Sequence, residues 1–298
     1  MVDVHKYQGT GNDFVVVDAA EEVPDRRGFA ADLCDRTDGI EPPEGATGTT
    51  GADGVLFLSL EDAYSPPRVV MTLVQPDGSV AAMCGNGARV AARWVADRTG
   101  SDEVMIDTPA GTRRAVLDRE SGEVTVEMGR PTFDPPSVPV DSVEPFEERE
   151  VEGVVVTAVN TGVPHAVVFV EDVDDVDVEA VAPPVRHAEM FPEGTNVTFA
   201  SERVDGGYDQ RTFERGVEGE TRSCGTGAVA VAAVATRLGR VETGESVAVS
   251  PPGGDLTVTV TDVGSTLRGP VVSEFERSVP PAAPRRLDDR IAGAGDDD

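Results

Sequence analysis

Cys84-Gly85-Asn86-Gly87-Ala88 and Cys224-Gly225-Thr226-Gly227-Ala228 share the pattern C-G-x-G-A, 140 residues apart, and each opens a stretch of helical character. A thiol at a helix N-terminus faces unpaired backbone N–H groups and the positive end of the macrodipole, both of which favour thiolate and lower its pKa. The same N–H groups bind anions such as a substrate carboxylate, and glycines after the cysteine let the backbone come close to it. One such element supplies a nucleophile or a base. Two facing elements put a thiolate and a thiol on opposite sides of one carbon. That arrangement suits a racemase or epimerase, in which one sulfur removes a Cα proton and the other delivers a proton to the opposite face. Backbone dipoles can stabilise the carbanion-like transition state, so no cofactor is expected.

The elements that must position these thiols are mostly strands. Short β-branched runs at 2–7, 14–17, 55–60, 68–74, 104–107, 124–128, 154–160, 166–170, 196–199, 208–213, 246–249, 256–261 and 271–275 are separated by Gly, Pro and Asp turn signals. Helical patterns are confined to 25–35, 88–98 and 228–238. So few helices cannot supply the crossovers of a long parallel sheet, so the class is α+β with mostly antiparallel or mixed sheets. Arg89, Arg93 and Asp97 predict a polar stripe on the second helix, opposite Val90, Ala91, Trp94 and Val95. The third helix, apolar from Ala228 to Ala235, has no polar face and should sit inside a sheet that wraps it. The turn-rich stretch from Gly129 to Pro145 marks a boundary between two halves.

The chain of 298 residues has 25 basic and 55 acidic side chains, a net charge of −30, and one lysine, Lys6. Phosphate binding depends on basic patches, so nucleic acid and anionic membranes are excluded as main partners. The acidic residues are spread along the whole chain, as on a solvated surface suited to a salt-rich cytoplasm. No basic region followed by an apolar stretch opens the chain, and no run approaches the roughly 20 apolar residues of a membrane span. Three scattered cysteines make no disulfide framework, so a reducing, cytoplasmic location is expected.

Plainer readings apply to several residues. Cys34 is expected to be a small buried hydrophobe, and His5 and His187 fall in no motif. The cysteines and histidines show no metal-ligand spacing, so no metal is expected. Two proximate thiols can also oxidise, which leaves a non-catalytic thiol switch or carboxylate-binding module as a second class of function.

Taken together, Gln8-Gly9-Thr10-Gly11-Asn12-Asp13-Phe14, Gly51-Ala52-Asp53-Gly54, Asp77-Gly78-Ser79, Met83 to Arg89, Pro164-His165, Gly194-Thr195-Asn196, Glu214-Arg215-Gly216 and Cys224 to Gly227 make the sequence similar to the diaminopimelate epimerase family. The resemblance covers nearly all of the chain apart from its C-terminal tail. It implies a cofactor-independent inversion of one α-carbon of LL-2,6-diaminopimelate to the meso form, on the route to lysine. Cys84 and Cys224 would be the acid/base pair. Gly85, Asn86, Gly225 and Thr226 would hold the reacting carboxylate on the two helix N-termini. Asn12, Gln75, Asn196 and Arg215 would hold the rest of the substrate, Arg215 by a bidentate grip on the distal carboxylate. Glu214 and His165 would orient the reacting amine and the thiols.

The implied fold is two pseudo-symmetric domains, each a mixed, largely antiparallel sheet curled around a central helix. The expected division is 1–128, completed by a returning strand near 269–275, then 129–268, with a disordered tail over 276–298. The sequence is silent on oligomeric state, with a homodimer left open. Departures from the family pattern are Gln75 where many members have Asn, Val163 where Gly-Asn-Pro-His is common, and an insertion at 41–50 expected beside the cleft. A proline or hydroxyproline racemase shares the two-thiol logic, but typically has His at the position of Asn86 and a substrate with no second carboxylate for Arg215. A phenazine-biosynthesis-like isomerase would lack the paired cysteines.

Overall fold

The computed structural model describes residues 1–204 and 206–281. In the first half, β1 (Val2–Gly9) and β2 (Asn12–Asp18) form a hairpin and α1 (Arg26–Cys34) crosses to β3 (Gly54–Glu61). Then β4 (Arg68–Val74) and β5 (Val80–Ala81) lead into α2 (Gly85–Thr99), followed by the meander β6 (Glu103–Thr108), β7 (Gly111–Leu117) and β8 (Glu123–Gly129). After β9 (Arg149–Val151), the second half repeats the order: β10 (Val154–Asn160), β11 (Pro164–Phe169), α3 (Val178–Arg186), β12 (Asn196–Glu202), β13 (Tyr208–Glu214) and β14 (Gly219–Thr221). It continues with α4 (Gly225–Arg237), β15 (Ser246–Ser250), β16 (Leu256–Val260) and β17 (Ser265–Pro270), and β18 (Val272–Val279) returns to β1.

The pairing is mixed and largely antiparallel. Parallel neighbours are β2–β3 and β4–β6 in the first half and, at the repeat-related places, β11–β12 and β13–β15 in the second. β17 pairs antiparallel with β8, which joins the two halves into one continuous curled sheet. Turn chemistry fixes the first hairpin: Thr10 and Gly11 both have positive φ, 58° and 75°, the combination that matches strand twist in a two-residue connection.

Each half wraps its second helix. Every residue of α4 from Gly225 to Ala235 is buried, which explains why no polar face is present in its sequence. Each buried valine there contributes roughly 1.5–3 kcal/mol of transfer free energy, an upper figure against a compact unfolded chain. One core surrounds both α2 and α4, while α1 and α3 pack on outer faces over separate clusters. The α4 and α2 helices start three residues before the apolar runs because Cys224 and Cys84 are their N-caps.

The structure corrects four expectations. α3 lies outside the three helical patterns because Pro183 and Pro184 read as breakers; it forms because Asp177 caps its start and Val178, Ala182 and Val185 bury one stripe. Arg89 is no part of a solvated stripe, being 0% exposed. The chain is ordered beyond Phe275, since β18 runs to Val279 paired with β1; the rest of the expected tail, 282–298, lies outside the described residues. The 41–50 segment does not line the cleft: Thr49 and Thr50 pack on Arg36, and Thr49 donates to Asp13 at 3.0 Å. Among the described residues, no helix is long and apolar enough to cross a membrane.

Candidate active site

The N-termini of α2 and α4 abut. A Cβ added to Gly225 would lie 3.3 Å from Gly85 Cα, 3.0 Å from Asn86 Oδ1 and 2.9 Å from Leu267. A side chain where the two helix ends meet would force them apart, so glycine is favoured there. Cys84 and Cys224 are the N-caps at this junction, both with extended backbone, and both are free thiols. Cys84 Sγ accepts the Gly87 N–H at 3.3 Å, and Cys224 Sγ lies 3.4 Å from Thr226 Oγ1.

Both thiols open onto one cleft of 350 Å³ between the halves, lined also by Asn12, Gln75, Gly85, Asn86, Asn196, Glu214, Arg215, Gly225 and Thr226. Every residue singled out from the sequence reaches its wall except His165. That imidazole is fully buried one layer behind, with Nδ1 3.0 Å from Thr198 Oγ1 and Nε2 3.0 Å from Thr226 Oγ1. Burial, helped by Arg215, pushes its pKa down to about 3, so it is a neutral ring that fixes the Thr226 hydroxyl. It touches the thiols only through that threonine.

Several polar side chains are committed to one another across the cleft floor. Asn86 Nδ2 donates to Asn12 Oδ1 at 3.1 Å and to Ser223 Oγ at 3.1 Å, tying the two halves together. Asn12 in turn donates to Asp53. Asn196 Oδ1 accepts the Arg215 backbone N–H at 2.7 Å, and Arg215 Nη1 donates to the carbonyls of Glu193 at 3.0 Å and Gly194 at 3.3 Å. Gln75 accepts from Ser79 at 2.9 Å and reaches across to Gly216. Val163 adds an apolar wall at the place of the expected polar contact.

The electrostatics differ from the expectation of a lowered thiol pKa. The N–H donors are in place, but burial outweighs them: the Cys84 thiol is pushed up to about 12, and Cys224 is also raised, by burial first and then by Glu214. Glu214 is itself raised to about 7 by burial, with hydrogen bonds from Thr221 and Cys224 pulling the other way. Sequence reasoning did not single out Thr221, Ser223 or Asp53, which also line the cleft. Nor did it place Arg89, whose Nη2 donates to Asn86 Oδ1 at 2.6 Å. Asp53 and Arg89 stood inside quoted motifs, and Thr221 and Ser223 lie three residues and one residue before Cys224. Among the described residues, no group of three His, Cys, Asp or Glu side chains is placed to hold a metal ion.

A profile of diaminopimelate epimerase matches residues 4–133 and 157–274. The chain belongs to the diaminopimelate epimerase family. A diaminopimelate epimerase of Methanothrix thermoacetophila is 43% identical over 276 residues, covering 90% of this chain and 92% of that one. One of Methanocella arvoryzae is 41% identical over 284 residues, covering 92% and 95%. Among solved structures, a hydroxyproline epimerase from Agrobacterium vitis with bound trans-4-hydroxy-L-proline superposes with a TM-score of 0.66 at 19% identity, covering 93% of this chain and 91% of that one. A phenazine biosynthesis protein from Bacillus anthracis superposes at 0.62 with 14% identity, covering 93% and 99%. These two likenesses concern the fold.

Proposed function

We infer that this chain epimerises LL-2,6-diaminopimelate to the meso form in lysine biosynthesis, without a cofactor, using Cys84 and Cys224 as the acid/base pair. The observation that carries the reading is the placement of two cysteines as N-caps of abutting, buried helices on one cleft that also holds Arg215. The reacting carboxylate sits on the N–H groups of the two helix ends, which also stabilise the negative charge that spreads onto it as the Cα proton leaves. A thiolate on one side takes that proton while the thiol on the other delivers its own, so one S–H bond forms, one breaks, and the pair ends with its protonation reversed.

Glu214, ionised above about pH 7, accepts hydrogen bonds from the substrate ammonium. Arg215 provides a planar fork for the second carboxylate. Burial raises both thiol pKa values, which makes the resulting thiolate a strong base once formed and makes a dry cleft useful for abstracting a weakly acidic Cα proton. A spread of acidic residues with a net charge of −30 supports the further reading that the enzyme works in a salt-rich cytoplasm.

Cys84→Ser and Cys224→Ser test the acid/base pair. A hydroxyl is a far weaker acid than a thiol, so each should lower turnover of LL-diaminopimelate by several decades while leaving the fold intact. Turnover near that of the unaltered protein in either variant would refute it.

A further inference from the structure

A line of buried polar side chains runs behind Cys224, across three neighbouring strands under the start of α4. Gln210 and Thr212 lie on β13, Thr198 sits opposite Thr212 on β12, and His165 is on β11, which pairs with β12. All four are at most 2% exposed, and Thr226 at the end of the line is 4% exposed. Gln210 Nε2 meets Thr212 Oγ1 at 2.9 Å, and Thr212 Oγ1 meets Thr198 Oγ1 at 3.2 Å. Thr198 Oγ1 meets His165 Nδ1 at 3.0 Å, His165 Nε2 meets Thr226 Oγ1 at 3.0 Å, and Thr226 Oγ1 meets Cys224 Sγ at 3.4 Å.

The direction of every bond follows from the far end. Gln210 also places Nε2 3.1 Å from the Cys224 carbonyl, which only accepts, so the amide nitrogen is the end that faces Thr212. The Thr212 hydroxyl, accepting from that amide, donates to Thr198. Among the described residues the Thr198 hydroxyl then has one acceptor, His165 Nδ1, and a buried hydroxyl hydrogen without an acceptor is costly. Nδ1 therefore accepts, and a neutral imidazole carries its proton on the other nitrogen. Nε2–H donates to Thr226, whose own hydroxyl hydrogen is left for the Cys224 sulfur. Asn196 Nδ2 stands 3.4 Å from Nε2, but it donates to the Pro164 carbonyl at 3.1 Å, and the longer contact is weaker than the 3.0 Å pair on the same ring nitrogen.

Cys84 has no such line. Asn86 stands at the repeat-related place of Thr226, with its amide committed to Asn12, Ser223 and Arg89, and Cys84 Sγ meets a backbone N–H rather than a hydroxyl. We propose that Thr198 is a positioning residue for the reaction, holding the His165 proton on Nε2 so that the Thr226 hydroxyl donates to the Cys224 sulfur and the Cys224 thiol proton is turned to the cleft. This rests on the reading of the two cysteines as the acid/base pair. A sulfur that accepts from Thr226 does not spend its own proton on that oxygen, so the proton is free for the substrate carbon. Once it has been delivered, the same hydroxyl stabilises the thiolate left behind, as a charge-assisted hydrogen bond.

Long-range ¹H–¹⁵N correlation NMR at neutral pH, on protein labelled with ¹⁵N-histidine, reads the tautomer directly. The chain has three histidines, so His5→Gln and His187→Gln assign the His165 signals. In the unaltered protein Nε2 should be the protonated nitrogen; a proton on Nδ1 would overturn the proposal, whether or not any Thr198 variant folds. Thr198→Val removes the donor to Nδ1 and should shift protons onto that nitrogen, moving both ring signals. It should also lower kcat for LL-diaminopimelate about tenfold, as for one lost hydrogen bond to a charged group, with KM little changed. Thr198→Ser, which keeps the hydroxyl, should restore both the ring signals and kcat. A fall in kcat that serine does not restore, or that comes without the change in ring signals, would mark a structural effect and overturn the proposal, as would an unchanged kcat in Thr198→Val. Turnover near that of the unaltered protein in Cys224→Ser would instead refute the acid/base pair on which the proposal stands.

Discussion

Gly225→Ala probes whether the abutting helix ends set the reaction geometry. On an exposed helix, alanine in place of glycine stabilises by roughly 0.5–1 kcal/mol. Here the new methyl would lie 2.9 Å from Leu267 Cδ2, 3.0 Å from Asn86 Oδ1 and 3.3 Å from Gly85 Cα. The leucine end can swing, but the Asn86 amide is held by Asn12, Ser223 and Arg89, and the Gly85 backbone belongs to α2. Relief therefore requires α2 and α4 to move apart by a few tenths of an ångström. Overpacking of this kind costs about 1–3 kcal/mol, which lowers the melting temperature by several degrees. The same displacement separates the two sulfurs, and misplacement approaching 1 Å costs about 10²-fold in rate. Gly219→Ala is the control, since its methyl meets nothing nearer than Glu179 Oε1 at 3.9 Å. Calorimetry and kcat should both fall in Gly225→Ala and both hold in Gly219→Ala. An unchanged kcat in Gly225→Ala would refute the claim that the junction positions the thiols.

Three other outcomes follow from the electrostatics. Glu214 has a folded pKa raised from 4.5 to about 7 by burial, so its contribution to stability is present below 4.5 and is lost as pH rises through about 7. The melting temperature of the wild type relative to Glu214→Gln should therefore fall across that window, and a constant difference would contradict the raised pKa. Lys6, the chain's single lysine, is fully buried against Asp13 at 2.7 Å. Asp13 keeps Arg36 as a partner, so Lys6→Met should cost about 3 kcal/mol in urea unfolding, the low end for breaking a buried pair; a cost within error of zero would show the pair to be replaceable. With a net charge of −30, the melting temperature should rise steeply toward about 1 M salt, where the Debye length falls to about 3 Å. Full stability in dilute buffer would remove the argument for a salt-rich habitat.

The duplicated C-G-x-G-A pattern and the faceless helix after Cys224 were legible because both are local: a cap, two glycines and an unbroken apolar run act within one turn. What escaped the sequence depends on chains that meet only in the fold. Arg89 looked solvated at four-residue spacing from Arg93, and is buried because Gly9 and Gly269, on distant strands, leave it a slot. The direction of the thiol pKa shifts was missed for a related reason. Helix-end donors can be read from a motif, whereas the depth of burial that outweighs them comes from the two halves closing together. His165 was found through its motif, but that motif could not tell that Thr226 stands between its ring and Cys224. α3 was hidden by two prolines whose effect its Asp177 cap and buried stripe offset.

The most direct test of the central claim is α-proton exchange in D₂O, under high salt with reductant and no added cofactor, offering LL-diaminopimelate beside proline and hydroxyproline. The proposed acid/base pair, two thiols lining one cleft with Arg215, predicts deuterium at the α-carbon of diaminopimelate and none in the other two. Exchange into proline or hydroxyproline alone, or into none of the three, would contradict the account.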